Sequence, residues 1–256
     1  MGLNLSIKEM TPDASSLELL LIVSAFVLGG FCKGFSGMGV PVIAVPVIAS
    51  ITDLTFAIIM IAIPSVVPNF YQVWMYRQSW NRQFPLPSLS ILSVIGSGVG
   101  IFVLLNAEPK LLTQILGGLL TIYVISRRLS PFYLSNASAK LLAGPAGFFS
   151  GLAGGTTGVS APVILMYLTA LNLSRETFIF SISVYFIAMG SGQFIWLAVS
   201  NLMTWEFVLL STLGLGPIFF GMWLGNRIGR LISSDQFNSI LQLFLLALGI
   251  KLIVFP

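Results

Sequence analysis

The 256-residue chain has no histidine, a single cysteine and very little charge. Without histidine, neither a zinc or haem site nor the usual proton shuttle is expected. One cysteine, Cys32, excludes an intramolecular disulfide. Charged residues are 8% of the chain, against ~25% in a soluble domain. With 56% hydrophobic residues and a mean hydropathy of +0.98, this is an integral membrane protein. Its apolar runs far exceed the ~10-residue alternating strands of a barrel, so the expected class is all-α. No GxxxxGK[ST] phosphate loop occurs, and no span holds an acidic pair. A non-enzyme that needs no cofactor and no metal is the expectation. The net charge of +4 is spread over loops and forms no stripe for nucleic acid. Residues 1–16 are polar and lack a basic n-region, unlike a cleaved signal peptide.

What the chain does have is a glycine-rich stretch that occurs twice. Gly30, Gly34 and Gly37 match Gly147, Gly151 and Gly154 at a spacing of 117. Pro41-Val42-Ile43 match Pro162-Val163-Ile164 at 121, which gives the second copy four extra residues. Glycine and proline break a helix at each place. Broken helices at corresponding places of two halves point to a transport site. The competing reading is close helix packing through small residues.

The boundaries follow. After the polar segment 1–16 comes a first transmembrane repeat, 17–128. A cytoplasmic connection, 129–138, leads to a second repeat, 139–256. In the first repeat, Leu17–Phe31 and Ser36–Ser50 are short apolar pieces, either a re-entrant hairpin or two tilted spans. Three long spans follow, beginning after Asp53, at Leu86 and at Pro109; Pro64 and Pro68 interrupt the first of them. The second repeat has the same plan, with spans opening at Ser174, Trp205 and Asp235. Further matches in the same order are Thr55-Phe56 and Trp74 with Thr177-Phe178 and Trp196, and Gly100 with Gly221. The whole amounts to about 8–10 membrane segments. Three long spans per half invert the second half relative to the first. Loops on one side carry Arg77, Arg82, Arg127, Arg128, Lys140, Arg175, Arg227 and Arg230, and the other side has Lys8, Lys110 and Lys251. The positive-inside rule makes the first side cytoplasmic and puts both termini outside.

Lys33 is the sharpest candidate for chemistry, because a charge within a span is costly and needs a function or a partner. It precedes a short helix whose N–H groups and positive dipole end favour an anion. Ser36, Thr156, Thr157 and Ser160 offer hydroxyls at the two breaks, and Gly37, Gly39, Gly154 and Gly155 offer approachable backbone. Asn69, Gln72 and Gln193, in the second spans, can orient a ligand without charge; such amides also join helices to each other.

Gly34-Phe35-Ser36-Gly37-Met38-Gly39-Val40-Pro41-Val42-Ile43 and Ser150-Gly151-Leu152-Ala153-Gly154-Gly155-Thr156-Thr157-Gly158-Val159-Ser160-Ala161-Pro162-Val163-Ile164 resemble the two glycine-rich segments of the sulfite exporter TauE/SafE family, also called the toluene-sulfonate uptake permease family. The resemblance covers nearly the whole chain. It implies a cell-membrane (inner-membrane) permease for small anions, often sulfur-containing, such as sulfite or organosulfonates. The expected function is secondary transport by alternating access around a midplane site between the breaks. An anion channel and a non-transporting scaffold subunit are the alternatives. The partners are the anion and the lipid bilayer. The specific anion, the direction, the coupling ion (proton or sodium) and the oligomeric state stay open.

Overall fold

The structure, a computed structural model, describes residues 16–37, 39–80, 84–126, 133–228 and 234–256. The polar segment before Ser16, Arg82, Arg127, Arg128, Arg230 and Met38, with the start of the central connection, lie outside the described residues. So do the side chains of Ser36 and Asp235. The described residues are almost wholly helical and contain no strand.

The first half holds α1 (Ser16–Ser36), α2 (Pro41–Ala49), α3 (Leu54–Ile61), α4 (Val67–Met75), α5 (Leu86–Asn106) and α6 (Pro109–Ser126). The second holds α7 (Asn136–Thr157), α8 (Ala161–Thr169), α9 (Arg175–Val199), α10 (Trp205–Leu213), α11 (Leu215–Ile228) and α12 (Ser234–Val254). Among the described residues, five stretches are long and apolar enough to cross a membrane: Ser16–Phe35, Leu86–Asn106, Pro109–Ser126, Arg175–Val199 and Trp205–Ile228. The molecule is an all-α, multi-pass membrane protein.

Local chemistry sets the ends. Asp53 caps α3, its Oδ1 accepting from the Phe56 N–H at 2.9 Å. Ser174 caps α9 in the same way through the Thr177 N–H at 3.3 Å. Pro64 lies in the turn that separates α3 from α4, and Pro68 lies in the first turn of α4. The first member of each broken pair is longer than the sequence reading draws it. α1 has 21 residues and runs through Gly30 and Gly34; α7 has 22 and carries Pro145 inside. Glycines within these helices do not break them, because their neighbours supply the packing.

That packing explains most of the repeated glycines. Where lipid removes the hydrophobic driving force, helices associate by close backbone approach. Gly30 and Gly34 of α1 rest on the main chain of Ile218 and Met222 in α11. In return, Gly221 and Gly225 rest on Val27 and Phe31. Gly151 and Gly155 of α7 rest on Ser93 and Ser97 in α5, and Gly96 and Gly100 rest on Phe148 and Leu152. In each crossing a Cβ would strike a carbonyl. For Gly30-x-x-x-Gly34, the packing reading is the one the contacts bear out.

The breaks themselves fall at two glycines with left-handed backbone, Gly37 (φ +75°) and Gly158 (φ +74°). L-residues pay for this conformation and glycine does not. The short α2 and α8 start just beyond them, each with proline in its first turn. α9 is the central element, packing on both α4 and α5 and against both breaks. Gly37 faces its Ile179, and Gly39 faces its Phe186.

Candidate functional site

Lys33 sits in the last turn of α1 and is 1% exposed. Its Nζ donates to Asn69 Oδ1 at 2.8 Å and to Gln72 Oε1 at 3.0 Å. Both amides are on α4, three residues apart, which puts them on one helical face. Asn69 Nδ2 donates to the Ser65 carbonyl at 2.6 Å, so its oxygen is the atom turned to the lysine. Ser183 of α9 donates to the same Gln72 Oε1 at 2.9 Å. Among the described residues, none of the lysine's partners is a carboxylate. The sequence places Lys33, Asn69 and Gln72 among the candidates, and the structure brings these three together. Ser65 and Ser183 complete the cluster; their only sequence signal is a hydroxyl inside an apolar span, which most often bonds its own helix.

The cluster lies near the end of α1. Lys33 follows Ser16 by 17 residues, roughly 25 Å along a helix at 1.5 Å per residue. Gln72 lies five residues before Arg77, so the lysine stands toward the Arg77 end of the bundle.

A second cluster forms at the other break. Gln193 of α9 is 1% exposed and donates through Nε2 to the Gly154 carbonyl at 2.9 Å. Gly154 also lies against the Met189 side chain and the Ser160 Cβ. Ser160 caps α8 without a side-chain hydrogen bond to that helix's N–H groups. Gly155 faces α5. Thr156 donates to the Gly100 carbonyl at 3.3 Å. Thr157 donates to the Ala153 carbonyl of its own helix at 2.8 Å and accepts from the Val159 N–H at 3.4 Å. In this conformation the two threonine hydroxyls are thus engaged by backbone. Gly37 and Gly39 line the first break, and Ser36 is the last residue of α1.

Ser183 and Gln193 are ten residues apart on α9, roughly 15 Å. The two clusters therefore occupy different depths on one helix. A buried amine held by neutral acceptors suits the reversible binding of a small anion, although the first N–H groups of α2 beside it, from Val42 to Ala44, already bond the carbonyls of Gly39 and Val40.

The chain has no significant match among curated proteins or among solved structures. The family model described as Sulfite exporter TauE/SafE matches residues 21–252. That stretch takes in both breaks, both clusters and all of the long spans but the first five residues of Ser16–Phe35, and the chain belongs to the sulfite exporter TauE/SafE family of membrane transporters.

Proposed function

We propose that this protein is a secondary transporter of a small sulfur-containing oxyanion, sulfite or an organosulfonate, working by alternating access between two inverted repeats. The observation that carries the reading is Lys33: a buried amine held by two amide oxygens, with no carboxylate among its described partners. A buried charge without a counter-charge is costly, and an anion entering from water supplies it. Asn69 and Gln72 keep the lysine in place, and Gly37 closes the turn after it, its N–H donating to the Lys33 carbonyl at 2.9 Å. Gly154, Ser160 and Gln193 form a second polar station at another depth on α9, with Gly155 and Thr156 holding the second break against α5 and Thr157 bonded to its own helix.

Contacts that recur at one spacing support the inverted-repeat reading. Gly30 and Gly34 pair with Gly151 and Gly155, and the left-handed Gly37 pairs with Gly158, each 121 residues on. The caps Asp53 and Ser174, and Ile58 and Ile179, which face Gly158 and Gly37, keep that spacing. So do Gln72 and Gln193, whose partners are Lys33 and Gly154. From Gly30 to Gln72 this register is uniform. Under it the match of Gly30 and Gly34 to Gly147 and Gly151 falls one helical turn short, and the four extra residues of the second copy fall after Gln193, where the spacing becomes 125. Gly96 and Gly100 correspond in their contacts to Gly221 and Gly225, again one turn from the match of Gly100 to Gly221. Arg77, Lys140, Arg175 and Arg227 support a reading with the cytoplasm on their side and both termini outside, in the inner membrane.

The test is anion binding to the purified protein. A panel of sulfite, thiosulfate, sulfate, an aryl sulfonate and a carboxylate of like size is followed by thermal shift. Stabilisation by a sulfur oxyanion that vanishes in Lys33→Gln supports the reading. Stabilisation that survives in Lys33→Gln removes Lys33 from the site.

A further inference from the structure

Tyr185 has no place in the account so far. It lies mid-way along α9 and is 0% exposed. Its hydroxyl is buried and has no hydrogen-bond partner. The large majority of buried side-chain polar atoms have a partner, and one that lacks it requires a reason. The hydroxyls of Ser150 and Ser160 stand beside it without completing a bond. Ser150 donates its own proton to the Gly147 carbonyl at 3.0 Å. Ser160 is the residue at the start of α8, and its side chain leaves the N–H groups of that helix uncapped. The first N–H groups of a helix have no intrahelical partner, and the dipole there favours negative charge.

The position on α9 matters as well. Tyr185 is two residues from Ser183, roughly 3 Å along the axis. It is therefore close in depth to the Lys33 cluster but on another flank of the helix, turned to α7 and α8. Its ring packs edge-on to Phe186, at 5.3 Å between centroids, and Phe186 in turn meets Gly39 of the first break. A phenol held by its ring, with its O–H free, is preorganised as a donor.

We propose that the Tyr185 hydroxyl, with Ser160 and the N-terminus of α8, is a hydrogen-bonding subsite for an oxygen atom of the transported oxyanion. This rests on the anion-transport reading and adds to it the group that recognises oxygen rather than charge. Lying on another flank of α9 than Ser183, the Tyr185 hydroxyl meets the anion at a different point of its passage from Lys33, and supplies a directional donor there. The hydroxyl is unpartnered because its partner is the ligand.

The test is Tyr185→Phe, which keeps the ring and removes only the hydroxyl. Two quantities are measured on the purified full chain: the melting temperature without ligand, and the Kd for sulfite and for methanesulfonate. The expected result is an unchanged or higher melting temperature, since a buried unsatisfied hydroxyl contributes nothing to the unliganded fold. Both Kd values should weaken by about tenfold, the weight of one hydrogen bond to a charged group. Ser160→Ala should weaken both by a smaller factor. A clear fall in melting temperature with unchanged Kd would show that the hydroxyl serves the fold, and it overturns the assignment. Binding that weakens in Lys33→Gln but is indifferent to Tyr185→Phe removes the Tyr185 subsite and leaves the transport reading intact. Wild-type protein that binds neither anion removes both.

Discussion

Gln72 holds Lys33 by its amide oxygen at 3.0 Å, and 121 residues later Gln193 donates to the backbone of Gly154 at 2.9 Å. The same glutamine position thus serves a charged side chain in one half and a bare carbonyl in the other. Lysine stands in the first half where glycine stands in the second, so the paired sites differ in charge. On the proposed transport reading, the anion's charge is met at the Lys33 break, and the other break contributes hydrogen bonds. Lys33→Gln should accordingly weaken sulfite binding by about tenfold or more, the loss of a charge-assisted contact. Gln193→Leu should weaken it less. Isothermal titration on the purified variants checks the order.

Close packing gives a sharper stability contrast. Gly34→Ala forces a Cβ onto the Met222 main chain and should destabilise the fold by about 1–3 kcal/mol, the range for overpacking. Gly118 has nothing within 4 Å of a built Cβ. Gly118→Ala should therefore be neutral or stabilising by up to about 1 kcal/mol, from helix propensity. Thermal unfolding in detergent separates the two.

The two left-handed glycines make a second contrast. At Gly158, φ is +74° and an added Cβ meets Ile58 at 2.9 Å and Val45 at 3.1 Å. At Gly37, φ is +75°, but the nearest atom, on Ile179, is 3.6 Å away. Both alanine substitutions carry the left-handed penalty of roughly 1–2 kcal/mol. Only Gly158→Ala adds a clash, so its melting temperature should fall further than that of Gly37→Ala.

The orientation is open to labelling. Cys32 is buried, so the wild-type chain should resist an impermeant thiol reagent. In a Cys32→Ala background, Lys110→Cys should react from outside intact cells. Lys140→Cys should react only after the cells are opened. The reverse pattern would invert the topology.

Much of this fold could be read from the amino acids, for identifiable reasons. Length and hydropathy reveal Leu86–Asn106, Pro109–Ser126 and Arg175–Val199, because lipid demands both. Asp53 and Ser174 announce their helices, since a cap is a local interaction. The register of the proposed repeat was not legible. Glycines spaced by four residues can be aligned one turn either way, and only their partners on α5 and α11 favour one choice. The length of α1 and α7 was hidden for a related reason: glycine suggests a break when the neighbour that packs on it is unknown. Of the candidate site, Lys33 with Asn69 and Gln72 could be anticipated, because intramembrane charge is rare and seeks amides. Thr156 and Thr157 could not be resolved, since a hydroxyl serves its own backbone or a ligand equally well in sequence. Tyr185 carries no motif at all; only its unpartnered hydroxyl marks it.

The most direct test of the central claim is sulfite flux in proteoliposomes, measured with and without sulfite on the opposite side. The account predicts saturable uptake that is accelerated by sulfite on the far side and lost in Lys33→Gln. Flux that rises linearly with concentration and ignores sulfite on the far side would contradict it and indicate a channel. No protein-dependent flux of sulfite or of an organosulfonate would contradict it as well.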